Sequence, residues 1–207
     1  NNGIGRIVNI GADMASSKRT VELCEKYDFI YGAVGVHPND VAPLTEQDMD
    51  TLTSYAVHKK VVAIGEIGLD YHYDEPSKEL QYQWFLRQME LARQVKLPIV
   101  IHSRDAAKDT VDLMKQADAG SIGGGMHCYS YTKELAREFL EMGFFFGIGG
   151  VLTFTNAKKL KEAVEYIPLD QIVLETDSPY LAPVPNRGKR NSSLNLPYVV
   201  AILAEIK

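Results

Sequence analysis

Short β-branched runs alternate with longer amphipathic segments from one end of this sequence to the other, and that alternation leaves few folds open. The runs lie at 4–11, 30–37, 61–66, 98–102, 124–127, 144–149 and 172–177. Between them, segments such as 77–95 repeat apolar residues at near-helical spacing, here Leu80, Trp84, Met89, Leu91 and Val95. Turn signals at Lys96-Leu97-Pro98, Glu141-Met142-Gly143 and Tyr166-Ile167-Pro168 end helices just before strands. Such a chain builds a parallel sheet with helices packed outside it, either an open doubly wound sheet or a barrel. No GxGxxG joins a strand to a helix. The stretch Gly147-Ile148-Gly149-Gly150 has a different spacing and continues into Val-Leu-Thr-Phe, which disfavours a dinucleotide fold. An α/β fold of the TIM (β/α)8-barrel type is therefore expected, with Trp84 and Phe144-Phe145-Phe146 in its core.

The chain has 207 residues, 45% of them hydrophobic, enough for one substantial core, so a single domain over 1–207 is expected. With 22 Lys+Arg against 27 Asp+Glu, the net charge of −5 argues against a protein that coats duplex DNA by charge alone. Any nucleic-acid contact must be local, and the basic cluster Arg187-Gly188-Lys189-Arg190 stands out, ahead of Lys158, Lys159 and Lys161. A charge cluster is more often simply a solvated face. No run approaches the ~18 apolar residues of a membrane span and no basic-then-apolar leader opens the chain, so a cytoplasmic location away from membranes is expected. Cys24 and Cys128 lie far apart without a CxxC pattern, which fits a reducing compartment.

Barrel enzymes place their reactive groups at the C-terminal ends of the strands. The residues found there are His37, Glu66, His102, His127, a Gly147-Ile148-Gly149 turn and Asp177, whereas His58 ends a helix and His72 lies in a loop. The intervals from Glu66 to His102 to His127 each match one strand–helix unit, and that from His127 to Asp177 matches two. Parity along extended strands sets Val62, Ile64 and Glu66 on one face, likewise Val100 with His102, and Val173 with Glu175 and Asp177. Cys128 then points away from His127 and is read as packing. A lone buried histidine is ordinarily a hydrogen-bonded core group, and a strand-end acid ordinarily caps the next helix. Two imidazoles and two carboxylates in register with the fold instead make a mixed nitrogen–oxygen set suited to a divalent ion such as Zn²⁺, Mn²⁺ or Co²⁺.

The stretches Gly65-Glu66-Ile67-Gly68-Leu69-Asp70-Tyr71, Ile101-His102-Ser103-Arg104, Met126-His127-Cys128-Tyr129-Ser130 and Glu175-Thr176-Asp177-Ser178-Pro179-Tyr180-Leu181 resemble the TatD family of metal-dependent deoxyribonucleases. So do Gly35-Val36-His37-Pro38 and Arg187-Gly188-Lys189-Arg190-Asn191, and the resemblance spans essentially the whole chain in the family's order. It implies an amidohydrolase-type barrel holding two divalent metals (Zn, Mg, Mn or Co) and hydrolysing DNA, as an exonuclease on single strands or 3′ ends, with no protein partner evident. Within it Glu66 corresponds to a bridging ligand, His102 and His127 to ligands of one metal, and Asp177 to a ligand of the other. The family's second metal also takes two histidines from an HxH motif, which this sequence lacks. Asn39 stands where many relatives have histidine, and Tyr131 where glycine is common.

Phosphodiester hydrolysis needs a nucleophile, neutralisation of phosphoryl charge and help for the leaving alkoxide. Asp177 is the expected general base as well as a ligand, and His37 either donates a hydrogen bond to the phosphate or braces the turn at Pro38. Arg104, Arg187, Lys189 and Arg190 are the expected substrate contacts. Glu175 is a candidate for orienting a ligand histidine, and Tyr71, Tyr129 and Tyr180 for stacking on splayed bases. Two other readings stay open: an amidohydrolase cleaving a C–N or C–O bond of a small molecule, and a non-catalytic metal-binding remnant, which the missing HxH keeps in play. Seven strand runs where a closed barrel needs eight lead to the expectation that a first strand–helix unit precedes the turn at Asn1-Asn2-Gly3-Ile4-Gly5-Arg6. At the other end, 196–207 reads as a last helix stopped before its natural end, so a chain incomplete at both ends is expected.

Overall fold

The computed structural model describes residues 3–207; the first two residues of the expected turn, Asn1 and Asn2, lie outside them. The described residues fall into two compact units, Gly5–Gly125 and Met126–Lys207, the latter including residues 3 and 4. The first unit holds β1 (Ile7–Ile10), α1 (Met14–Lys26), β2 (Ile30–Val34), α2 (Glu46–Ala56), β3 (Val61–Asp70), α3 (Lys78–Val95), β4 (Ile99–Arg104), α4 (Ala107–Gln116) and the short α5 (Ala119–Ile122), and ends within β5 (Gly124–Met126). The second holds α6 (Lys133–Glu141), β6 (Phe145–Ile148), α7 (Lys158–Tyr166), β7 (Ile172–Leu174) and α8 (Leu196–Ile206). All seven expected strands form, and they are ordered β1 to β7 without reversal. A doubly wound sheet would reverse its order at a switch point, so this topology is that of the barrel class.

Local chemistry sets the helix starts. Asp13 and Ser16 close a reciprocal capping box on α1, Thr45 and Asp48 do the same on α2, and the Ser77 side chain accepts from Leu80 N at the start of α3. In the first unit Ile64, Ile67, Leu69, Ile99 and Ile101 are fully buried, and α3 covers this layer with Trp84, Phe85, Met89 and Leu91. In the second, Phe144 and Phe146 are fully buried but Phe145 is 41% exposed. Two of the three expected core phenylalanines are therefore core, because strand alternation turns the middle one outward.

Strand β3 departs from its sequence reading. It runs on through Glu66 to Asp70, pairing Gly68 with His102, Leu69 with Ser103 and Asp70 with Arg104. Between Ile64 and Ile67 its register against β4 shifts by one residue, an inserted position that breaks strict alternation. Glu66 thus sits at an irregularity inside the strand, and the parity expected for Val62, Ile64 and Glu66 does not carry through it. Continuation past Glu66 depends on Gly68, whose φ of +147° and close approach to His102 O, 1.9 Å from where a Cβ would stand, no other residue could tolerate.

Where β2 and β3 end, three buried helix side chains take over as hydrogen-bond partners. Ser17 Oγ of α1 accepts from Gly35 N at 3.0 Å and donates to Gly35 O at 2.9 Å. Gln88 Oε1 of α3 accepts from Val36 N at 2.8 Å, and its Nε2 donates to Val36 O at 3.0 Å. Two turns earlier, Gln81 Oε1 accepts from Asp70 N at 2.9 Å and Nε2 donates to Asp70 O at 3.0 Å and Pro76 O at 2.8 Å. Replacing Gln88 with Leu strands two buried backbone groups, so the variant should unfold in urea with about 3 kcal/mol less stability. Gln83→Leu on the exposed face of the same helix should stay within about 0.5 kcal/mol of the parent. Equal losses for the two would mean that the paired bonds to Val36 contribute nothing specific.

Candidate metal centre

The expected site residues gather in two groups, one in each unit. In the first unit His102, inside β4, is engaged at both ring nitrogens, with Nδ1 2.8 Å from Glu66 Oε1 and Nε2 3.0 Å from Asp70 Oδ2. His37, just beyond β2, stacks edgewise on this imidazole with ring centroids 4.1 Å apart. It also caps the 3-10 turn Pro38–Asp40, where its Nδ1 accepts from Asn39 N at 3.2 Å. The turn-bracing role considered for His37 is therefore met, and its ring also lies against His102. Donor atoms of His37, Asp70 and His102 lie within 4.8 Å of one another and could hold a metal ion.

In the second unit His127 follows β5, with Nδ1 2.7 Å from Glu175 Oε2 and Nε2 3.6 Å from Asp177 Oδ1. Gly147 of β6 makes room for this acid, because a Cβ there would stand 2.4 Å from Glu175 Oε2 and 2.7 Å from its Cδ. Asp177 has a φ of +53° and a side chain 34% exposed, a left-handed backbone that turns an accessible carboxylate off the end of the strand. Cys128, with φ +45°, is half-buried beside His127.

The donor chemistry fits a divalent ion. Each group pairs an imidazole nitrogen with carboxylate oxygens, the set that Zn²⁺, Mn²⁺ and Co²⁺ accept. Two buried acceptors beside these groups, Asn39 Oδ1 and Glu175 Oε1, receive no hydrogen bond among the described residues.

The basic cluster at 187–190 is exposed, and its segment is tied back toward Asp177. Asn191, 3% exposed, donates from its backbone N to Pro179 O at 2.9 Å and from Nδ2 to Thr176 O at 2.7 Å. The Arg187 guanidinium lies over the Phe154 ring, 4.3 Å from its centroid. Arg104 is exposed at the end of β4. Of the tyrosines, Tyr129 is 3% exposed and packs edgewise on Phe139 and Phe146, which excludes it from stacking on a base. Tyr71 is committed as well: its hydroxyl lies 2.7 Å from that of Tyr82 and 2.6 Å from Asp109 Oδ2, and Lys78 Nζ covers its ring at 3.9 Å. Tyr180 is 70% exposed. His58 stands in the turn after α2, accepting from Lys60 N at 3.2 Å.

Sequence reasoning passed over Asp70, Gln81, Gln88, Ser17 and Asn191. Only Asp70 carried a usable signal, its place in the Gly68-Leu69-Asp70-Tyr71 end of the motif.

Burial lowers the basicity of His102, but its hydrogen bonds to Asp70 and Glu66 outweigh this and push its pKa above the ordinary histidine value. Burial raises Asp70, yet the bonds from His102 and His72 N and the nearby His102 and His37 charges hold its carboxyl down to about 2. In the metal-free protein the raised His102 therefore contributes stability below about pH 6.5, lost as pH climbs through its folded value. The depressed Asp70 contributes stability above about pH 3.9, lost as pH falls toward about 2. Urea unfolding of chelator-treated protein should show lower stability at about pH 8.5 than at about pH 5.5. His102→Asn should remove most of that difference, and an unchanged difference would assign it to other groups.

Comparison with known proteins agrees with this topology and chemistry. A family model described as "TatD related DNase" matches residues 1–207. The chain is 47% identical to an uncharacterised metal-dependent hydrolase, YabD, of Bacillus subtilis, over 99% of this chain and 80% of that protein. It is 37% identical to an uncharacterised metal-dependent hydrolase, YcfH, of Escherichia coli K12, over 90% of this chain and 69% of that protein. The crystal structure of YJJV, a TatD homologue from Escherichia coli K12, superposes with a TM-score of 0.93 at 30% identity, covering 99% of this chain and 80% of that one. A TatD family hydrolase from Entamoeba histolytica superposes with a TM-score of 0.88 at 26% identity, covering 100% and 79%. Sequential parallel strands, the acid–histidine groups and a family match over its full length together make this chain a member of the TatD family of metal-dependent hydrolases.

Proposed function

We propose that this hydrolase cleaves phosphodiester bonds of DNA, working as an exonuclease on single strands or 3′ ends. The observation that carries this reading is the tether of Asn191 to Thr176 and Pro179, which fixes the exposed cations Arg187, Lys189 and Arg190 on the segment that bears Asp177. A polyanionic chain gains from cations beside the reacting group, whereas a small neutral amide does not. The family description as DNases points the same way.

Glu66 and His102 in the first unit, and His127 and Asp177 in the second, are the residues that would hold divalent ions. Such ions supply Lewis-acid polarisation of phosphoryl oxygens and lower the pKa of water. The chain's own groups have distinct tasks. Asp177, accessible at its carboxylate, accepts the proton of the attacking water. In its neutral form His37 accepts from Asn39 N at Nδ1 and carries its ring proton on Nε2, the atom that donates to the phosphate or the leaving oxygen. Glu175 fixes the ring of His127 through Nδ1. Arg104 and the 187–190 cations bind flanking phosphates.

Alanine at Glu66, His102, His127 or Asp177 should abolish metal-dependent cleavage of a single-stranded oligonucleotide without loss of the folded state, while His58→Ala keeps the parent rate. Parent-level cleavage in all four variants would remove these residues from the reaction. Cleavage of a cyclic amide or lactone in preference to the oligonucleotide would move the substrate to another class.

Neutralising Arg187, Lys189 and Arg190 together should weaken single-strand binding and flatten its salt dependence, by a slope of roughly 0.7 for each phosphate that is no longer neutralised. Because Arg187 is also engaged with Phe154, the Lys189/Arg190 double variant serves as the cleaner comparison. An unchanged slope in both would put the strand elsewhere on the surface.

A further inference from the structure

We propose that Asp70 is a positioning residue that selects the ring nitrogen His102 offers to a metal, holding Nε2–H so that Nδ1 is presented together with Glu66. This rests on the reading of Glu66 and His102 as ligands. A neutral imidazole has one lone pair to give, and both nitrogens of His102 face carboxylates, so one acid must be the ligand's companion and the other the orienting partner. The two acids are not equivalent. Asp70 has a side chain only 2% exposed, and its oxygens are already shared among three donors: Oδ1 accepts from His72 N at 2.9 Å, while Oδ2 faces His102 Nε2 at 3.0 Å and Asn39 Nδ2 at 3.4 Å. Gln81 grips its backbone N–H and C=O. A carboxylate immobilised and hydrogen-bonded in this way is a poor partner for an ion that must enter from solvent and keep a position open for substrate.

Glu66 is the better companion. Its side chain is 13% exposed, and its Oε1 lies 2.8 Å from Nδ1 across a proton that an ion would replace. The His37 ring against His102 limits rotation that would undo the choice. At His127 in the second unit both ring nitrogens likewise face carboxylates, with Nδ1 2.7 Å from Glu175 Oε2 and Nε2 3.6 Å from Asp177 Oδ1. The alternative in which His37, Asp70 and His102 Nε2 hold the ion makes the contrary assignment for His102, which allows a direct test.

The measurement is long-range ¹H–¹⁵N correlation of histidine-labelled, Zn²⁺-loaded full-length protein, with Zn²⁺ affinity from chelator competition alongside. His102 should carry its proton on Nε2 and show a metal-shifted Nδ1. Asp70→Ala should weaken Zn²⁺ binding about 10–100-fold, with Asp70→Asn, which keeps an acceptor oxygen, losing less. Metal on Nε2 with the proton on Nδ1 overturns this proposal alone, because Asp70 would then be on the ligand side. No metal-bound nitrogen at His102 overturns the ligand reading beneath it. Parent-level affinity in both Asp70 variants also overturns the proposal, and the wild-type spectrum decides the matter even if Asp70→Ala fails to fold.

Discussion

Backbone hydrogen bonds at the ends of β2 and β3 must find partners after the sheet stops supplying them, and in the first unit three buried helix side chains do so. Ser17 holds Gly35, Gln88 holds Val36 and Gln81 holds Asp70, each through an N–H and a C=O of the same residue. These clamps bring α1 and α3 into the definition of the site, because the residues they grip either adjoin His37 or are Asp70 itself. A buried amide left without its partner would cost more than the bond it makes is worth, so the geometry is enforced by penalty as much as by attraction. The backbone at Asp70 and just before His37 is therefore held by side chains of α1 and α3, while His102 is held within β4.

Each of the two units sets an imidazole between carboxylates. His102 lies between Glu66 and Asp70, and His127 between Glu175 and Asp177. The arrangement does two jobs. At His102 it raises the affinity of the imidazole for a proton, and in both units it sets a carboxylate against each ring nitrogen, which orients the ring toward a metal ion. The Asp177 carboxylate, held off the strand by a left-handed backbone, is the most exposed of these acids. That exposure fits a group exchanging protons with water better than one sealed in the core.

Much of this was legible in the residues alone. The strands appear as short apolar runs bounded by turn signals, so all seven are legible, and α3 is bounded to within a residue by Ser77 and Lys96-Leu97-Pro98. His37, Glu66, His102, His127 and Asp177 stood out because polar residues that close apolar runs are unusual. What escaped notice has physical causes. Gly68 looks like part of the turn after a strand that closes at Glu66, yet it is the residue that lets β3 continue to Asp70. The inserted position between Ile64 and Ile67 upsets the two-residue period on which the facing of Glu66 was argued. Gln81 and Gln88 read as ordinary polar positions on an amphipathic helix, since nothing local reveals that a side chain will meet a strand terminus distant in sequence. Tyr129 looked available for stacking until its packing on Phe139 and Phe146 accounted for it.

Where divalent ions bind this chain is the most direct test. Crystals grown with Zn²⁺ or Mn²⁺ and measured at the metal's absorption edge would locate them through anomalous scattering. An ion bonded to Glu66 and to Nδ1 of His102, with His127 Nε2 and Asp177 also taking part in metal coordination, is the predicted result. Anomalous density confined to other residues, or absent from all four at saturating metal, would contradict it.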